Sequence, residues 1–182
     1  MAVTACSAIV MGRLACVTQN HGFALGENAC STGVSAIALG STSTASGTCS
    51  IALGFGSCST GTGTVAIGRG ATGISCATGT GSIAIGSGAY AIPATGEGGL
   101  AVGYSARAYN NQSSAFGYTA KACADDAVAI GSVTANKAST VTVKALETCV
   151  AGEGVIMTTP DGLAQYKITV DNSGNLVSTL VV

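Results

Sequence analysis

Ile37-Ala38-Leu39-Gly40 is a phrase the chain writes again and again. It returns as Phe23-Ala24-Leu25-Gly26, Ile51-Ala52-Leu53-Gly54, Val65-Ala66-Ile67-Gly68, Ile83-Ala84-Ile85-Gly86, Leu100-Ala101-Val102-Gly103, Ser114-Ala115-Phe116-Gly117 and Val128-Ala129-Ile130-Gly131, after a degenerate copy at Ile9-Val10-Met11-Gly12. The closing glycines fall at 12, 26, 40, 54, 68, 86, 103, 117 and 131, so six of the eight intervals are 14 residues and the others are 18 and 17. A short fixed period of this kind is the mark of a solenoid, in which each copy is one structural unit that stacks on the next.

Inside a copy, side chains alternate with period two, so the phrase is a strand with Ile37 and Leu39 on one face and Ala38 on the other. The second half, Ser43-Thr44-Ala45-Ser46-Gly47, alternates again with small residues. Each copy therefore holds two short strands and two corners, and fourteen residues suit a flattened two-sided roll. Helix is excluded by the density of Gly, Ser, Thr and β-branched residues. The fold expected is all-β: a parallel β-roll solenoid of about nine 14-residue coils over residues 1–131, roughly 40 Å long at about 4.8 Å per coil. A small C-terminal strand and hairpin element follows over 132–182, where larger residues and the turns Pro160-Asp161-Gly162 and Asp171-Asn172-Ser173-Gly174 replace the repeat.

On this reading Ile37, Leu39, Ile51, Leu53, Val65, Ile67, Ile83 and Ile85 fill the roll. The alanines between them, Ala38, Ala52, Ala66, Ala84, Ala101, Ala115 and Ala129, permit the close approach of a neighbouring chain. The two longer intervals are read as insertions around Gly73 to Gly81 and Ile92 to Gly99, side by side in consecutive coils and placed at corners, where solenoids frequently bind. Tyr90, Ile92, Pro93, Glu97, Tyr104, Tyr109 and Tyr118 are the contact-loop candidates.

Composition narrows the function classes. Of 182 residues 8 % are charged and the net charge is -1, which supplies no field for phosphate backbones, so no nucleic-acid partner is expected. Only 4 % are aromatic and Trp is absent, so a lone globular core is not expected and stability should come from stacked repeats and from other chains. No apolar run reaches the roughly 18 to 20 residues of a membrane span. Met1 to Val17 is in phase with the repeat and is read as a first, capping coil and not as a signal peptide.

Eight cysteines occur, at 6, 16, 30, 49, 58, 76, 123 and 149. Cys16, Cys30 and Cys58 each stand four residues after a repeat glycine, where other copies have Thr44 and Thr72, which marks a slot for small residues. Stacked coils would bring Cys16 and Cys30 to about 5 Å between backbones, within disulfide reach, but packed thiols are the expectation. With His21 the only histidine and no Cys-x-x-Cys pair, no metal is expected. Gly68-Arg69-Gly70-Ala71-Thr72-Gly73 spells a dinucleotide fingerprint without the strand-to-helix context it requires, and it is read as a repeat corner. Asp125-Asp126 reads as a solvated corner, with too few carboxylates for calcium, and Asn111-Gln112-Ser113 is a glycosylation sequon. No nucleophile, base and acid come together, so no catalytic residue and no cofactor are assigned. A left-handed β-helix acyltransferase would need 18-residue coils and a catalytic histidine, a role only His21 could fill.

The phrase with its small second half, as in Ser35-Ala36-Ile37-Ala38-Leu39-Gly40, resembles the head repeats of YadA-like trimeric adhesins, over about residues 8 to 131. The resemblance implies a left-handed parallel β-roll packed three around an axis, hence a homotrimer. Such adhesins also carry a secretion signal, a coiled-coil stalk and a membrane-anchoring barrel segment, none of which is read here. The ending from Pro160 through Tyr166-Lys167-Ile168-Thr169-Val170 to Leu176 is similar to C-terminal segments of viral and phage structural proteins. Together the two resemblances imply a non-enzymatic attachment protein, a virion fibre, spike or capsid-surface component. Its expected partners are itself, other virion or surface proteins through the C-terminal element, and a host-surface receptor. A bacterial cell-surface adhesin head is the alternative.

Overall fold

The computed structural model describes residues 2–3, 6–69, 75–93, 96–144, 155–158, 164–171, 173 and 175–181, in two compact units, 1–144 and 145–182. The first unit is the roll. Its three-residue strands, from Ile9–Met11 through Ile37–Leu39 to Val141–Val143, form one parallel ten-stranded sheet, called here the phrase sheet. Its two-residue strands, from Ala2–Val3 through Thr44–Ala45 to Thr134–Ala135, form a second parallel ten-stranded sheet, the short-strand sheet. Register is strict: Ile37, Ala38 and Leu39 lie against Ile51, Ala52 and Leu53, and Thr44 and Ala45 against Cys58 and Ser59.

Each coil turns twice. Ser43 N–H donates to the Gly40 carbonyl at 3.3 Å and Ser50 N–H to the Gly47 carbonyl at 3.2 Å, closing a four-residue turn at either end of the coil. The third residue of each turn is left-handed, Thr42 at φ 57° and Cys49 at φ 55°, as a type II turn requires. Gly40 is needed for a further reason. It sits at φ +129°, and a Cβ there would lie 2.5 Å from the Gly54 carbonyl oxygen of the next coil.

The interior reverses the expected faces. Ala38, Ala52, Ala66, Ala84, Ala101, Ala115 and Ala129 are completely buried within the single chain, so they line the roll and do not meet a neighbouring chain. Ile37, Leu39, Ile51, Leu53, Val65, Ile67 and Ile83 are only half-buried, and Ile85 is exposed; they lie on the outer face and do not fill the roll. The cause is steric. A 14-residue coil folded back on itself leaves a slot between its two sheets that is only wide enough for Ala, Ser and Gly, as at Ala36, Ala38, Ser43, Ala45, Gly47 and Ser50. Two serine hydroxyls in the slot find partners in the corners, Ser43 Oγ donating to the Gly40 carbonyl at 2.8 Å and Ser31 Oγ to the Ala36 carbonyl at 2.8 Å. Where one larger residue enters, its neighbour shrinks: Val17 faces Gly22, where a Cβ would come within 2.5 Å of Val17 Cγ1.

The roll also runs beyond Gly131. Thr134–Ala135 pairs with Lys121–Ala122 and Val141–Val143 pairs with Val128–Ile130, so residues 132–144 belong to the roll. The last coil is one residue short and has Lys144 in the glycine column, where a Cβ on Gly131 would meet Lys144 Cβ at 2.9 Å. The second unit is a three-stranded antiparallel sheet of Val155–Thr158, Gln165–Val170 and Leu176–Leu180. Its hairpin turn is organised by Asp171, whose carboxylate accepts from the N–H groups of Ser173 and Asn175 at 2.8 Å each. Pro160-Asp161-Gly162, the other turn expected there, lies outside the described residues.

Candidate functional site: the two outer faces of the roll

Placing the small residues inside forces the large ones out. Down the phrase sheet, Ile9 and Met11, Phe23 and Leu25, Ile37 and Leu39, and their successors to Val141 and Val143 form two parallel ladders of aliphatic and aromatic side chains, broken only at Ser114. With coils about 4.8 Å apart the stripe is roughly 40 Å long. Exposure along it reaches 59 % at Met11 and 63 % at Val141. A contiguous apolar surface of this length marks an interaction face.

The outer face of the short-strand sheet is different in kind. Its ladder reads Cys16, Cys30, Thr44, Cys58, Cys76, Tyr90, Arg107, Lys121 and Thr134, each in register with the next. Arg107 lies over the Tyr90 ring, 5.6 Å from its centroid, and donates to the Tyr109 hydroxyl at 2.8 Å. At the glycine corner, Tyr104 and Tyr118 stack across adjacent coils with centroids 5.3 Å apart and planes 9° from parallel. Tyr90 and Tyr109 thus pack against Arg107, while Tyr104 and Tyr118 form an exposed two-ring platform.

The insertions are not neighbours. Cys58 pairs with Cys76 and Val65 with Ile83, each 18 residues on, which puts the first insertion between Ile67 and Cys76, at the glycine corner. Cys76 pairs with Tyr90 at the regular spacing while Ile83 pairs with Leu100, so the second lies between Ala91 and Leu100, at the opposite corner. Gly79 to Gly81 therefore belong to a regular corner, where Thr80 bridges Glu97. Pro93 is buried, packed where a Cβ on Gly79 would fall 2.2 Å from its Cγ, and so presents no contact surface. Ile92 is half-buried and Glu97 is exposed.

Cys76 is the residue that repeat counting misses, because the insertion moves it eight residues past Gly68 instead of four. Cys58 and Cys76 share a side-chain hydrogen bond that pulls the Cys58 thiol down to about 7 and pushes Cys76 up, with burial also raising Cys76. Burial raises Cys30, with Cys16 beside it adding to the effect. Seven of the cysteines lie among the described residues, all as free thiols; Cys149 lies outside them.

The remaining motifs fall at corners. His21 is exposed at φ 59°, its N–H donating to the Cys6 carbonyl. Asp125 Oδ1 accepts from Asn111 N–H at 3.2 Å, and Asp126 is left-handed at φ 54°. Gly68 closes the strand Val65–Ile67, while Gly70 to Gly73 of the glycine motif lie outside the described residues. Among the described residues no three His, Cys, Asp or Glu side chains cluster as metal ligands, and no helix is long and apolar enough to cross a membrane.

Comparison with known families agrees with this architecture. The YadA head domain repeat matches residues 31–57, 77–91, 94–120 and 110–133, just under half of the chain. These segments cover both faces of the roll and its second insertion. No curated protein matches the chain significantly. The roll is thus a YadA-like β-roll, similar to the heads of a family of adhesin-like structural proteins.

Proposed function

We propose that the chain is a non-enzymatic structural and attachment protein that works as a homotrimer, its three phrase sheets facing one another around a common axis. The aliphatic stripe is the observation that carries this reading. Left in water, its roughly twenty outward side chains would cost the monomer solubility; buried together they supply the association energy, at roughly 25 cal/mol per Å² of apolar surface. Closed three-fold packing prevents open-ended growth along that face, and the similarity to trimeric YadA heads supports three as the number of chains. The short-strand sheet, with its cations, tyrosines and thiols, is then the outer surface of the rod.

The location proposed is a virion or phage fibre, spike or capsid surface, where the rod holds its outer face toward a host receptor or a neighbouring subunit. The resemblance of the C-terminal segment to viral and phage structural proteins favours this over a bacterial cell-surface adhesin head. The C-terminal sheet leaves Ile156, Met157, Leu176 and Leu180 exposed, which suits an element that is covered by another virion or surface protein.

Sedimentation equilibrium tests the assembly. The native chain should sediment as a trimer and the double variant Ile37→Asp/Ile51→Asp as a folded monomer, with association weakened at least about 100-fold, since each charge would be buried unpaired at the axis. A variant that stays trimeric would remove the stripe from the interface. Gold-labelled antibody against the roll, applied to intact virions and to intact bacteria, separates the two locations.

A further inference from the structure

We infer that the short-strand ladder carries two dithiol sites, Cys16 with Cys30 and Cys58 with Cys76, each of which closes to a disulfide that staples consecutive coils on the outer face. Both pairs are directly opposed residues of adjacent parallel strands. Strands in a sheet are about 4.8 Å apart, and disulfides span Cα separations of about 4.4–6.8 Å. All four side chains lie on the outer side of the sheet and are half-buried, so a small oxidant reaches them while the neighbouring coils hold them in place.

The register also decides which thiols pair. Thr44 stands between Cys30 and Cys58 and separates the ladder into two isolated pairs. Tyr90 ends it on the far side. Cys6 and Cys49 lie at corners and are exposed, outside the ladder. Cys58, held near neutrality by the hydrogen bond from Cys76, supplies a thiolate at ordinary pH.

The oxidant required is a low-molecular-weight disulfide. The Cys58 thiolate attacks one of its sulfurs, forming a mixed disulfide and releasing a thiolate. Cys76 then attacks the Cys58 sulfur, its proton passing to the second departing thiolate. One protein S–S bond forms, two protein thiols are oxidised by two electrons, and one small disulfide is reduced to two thiols. The same exchange applies to Cys16 and Cys30. Each bridge crosses only one coil interface, so the roll keeps its register when oxidised and two separate pairs of consecutive coils are tied covalently.

Thiol mapping on the native 182-residue chain tests the sites. The reduced protein is incubated with oxidised glutathione, remaining thiols are alkylated, and the chain is cut after Arg13, Glu27, Arg69 and Glu97. Cys16 then lies in peptide 14–27, Cys30 and Cys58 in 28–69, and Cys76 in 70–97. The expected result is reductant-sensitive linkage of 14–27 to 28–69 through Cys30 and of 28–69 to 70–97 through Cys58. Cys76→Ser should abolish the second link, leave the first, and leave glutathione on Cys58. Glutathione adducts on Cys58 and Cys76 without a link, pairing of Cys58 with Cys49 or Cys30, or links between chains would overturn the assignment. So would the same pairing pattern after oxidation in denaturant, because the register could then not be its cause.

Discussion

The two sheets of the roll share a backbone and a period, yet they have opposite outer surfaces. The phrase sheet turns Ile, Leu, Val and Phe outward over a row of alanines, while the short-strand sheet turns Cys, Thr, Tyr, Arg and Lys outward over alanine and serine. Their inner faces are nearly interchangeable, and that sameness is the lesson. Inside a coil this thin the only selection is for small volume, so chemical individuality is confined to the outside. One outer face is then suited to other copies of the chain and the other to solvent, oxidants and contacts.

Substitutions at neighbouring positions can break this contrast. The largest effect is expected from Ala38→Leu, which adds three carbons to a position with no accessible surface between close-packed coils. It should cost about 3 kcal/mol or more by overpacking, read as a lower midpoint in chemical denaturation. Its neighbour Ile37→Ala should leave the coil folded and weaken only the proposed trimer. If Ala38→Leu folds normally while Ile37→Ala unfolds the coil, the faces are the other way round. Next comes Gly40→Ala, at about 2 kcal/mol, because the residue holds a backbone conformation that L side chains rarely adopt and its Cβ would strike the next coil; thermal melting of the variant measures it. The smallest effect is expected at the corner pair of Arg13 with Glu27, an ion pair between exposed side chains. Glu27→Ala should change stability by less than about 0.5 kcal/mol, and by still less in molar salt.

Much of the fold was legible because repetition averages out local ambiguity. One Ile-Ala-Leu-Gly is uninformative, but nine copies in phase specify strands, corners and stacking together. The sequence is ambiguous where the repeat signal is silent. Period-two alternation divides Ile37 and Leu39 from Ala38 without saying which side is inward, and the habit of placing large apolar residues inside gave the wrong answer. The second half of each coil held the correction: Ser43, Ala45 and Gly47 have no large residue to offer a core, so the interior they share with the phrase sheet must be narrow. The final coil escaped notice because it is one residue short and ends in Lys144 instead of glycine. Cys76 escaped because its coil carries four extra residues, and only strand pairing restores it opposite Cys58.

The amino-acid sequence by itself determined the all-β solenoid, its period and the glycine corners, since these follow from local backbone preferences repeated without interruption. Only the tertiary structure decided which face is core, where the roll stops, which corners take the insertions, and which cysteines are opposed. Those four depend on the distance between two sheets and on the register between coils, quantities set by closing the chain on itself.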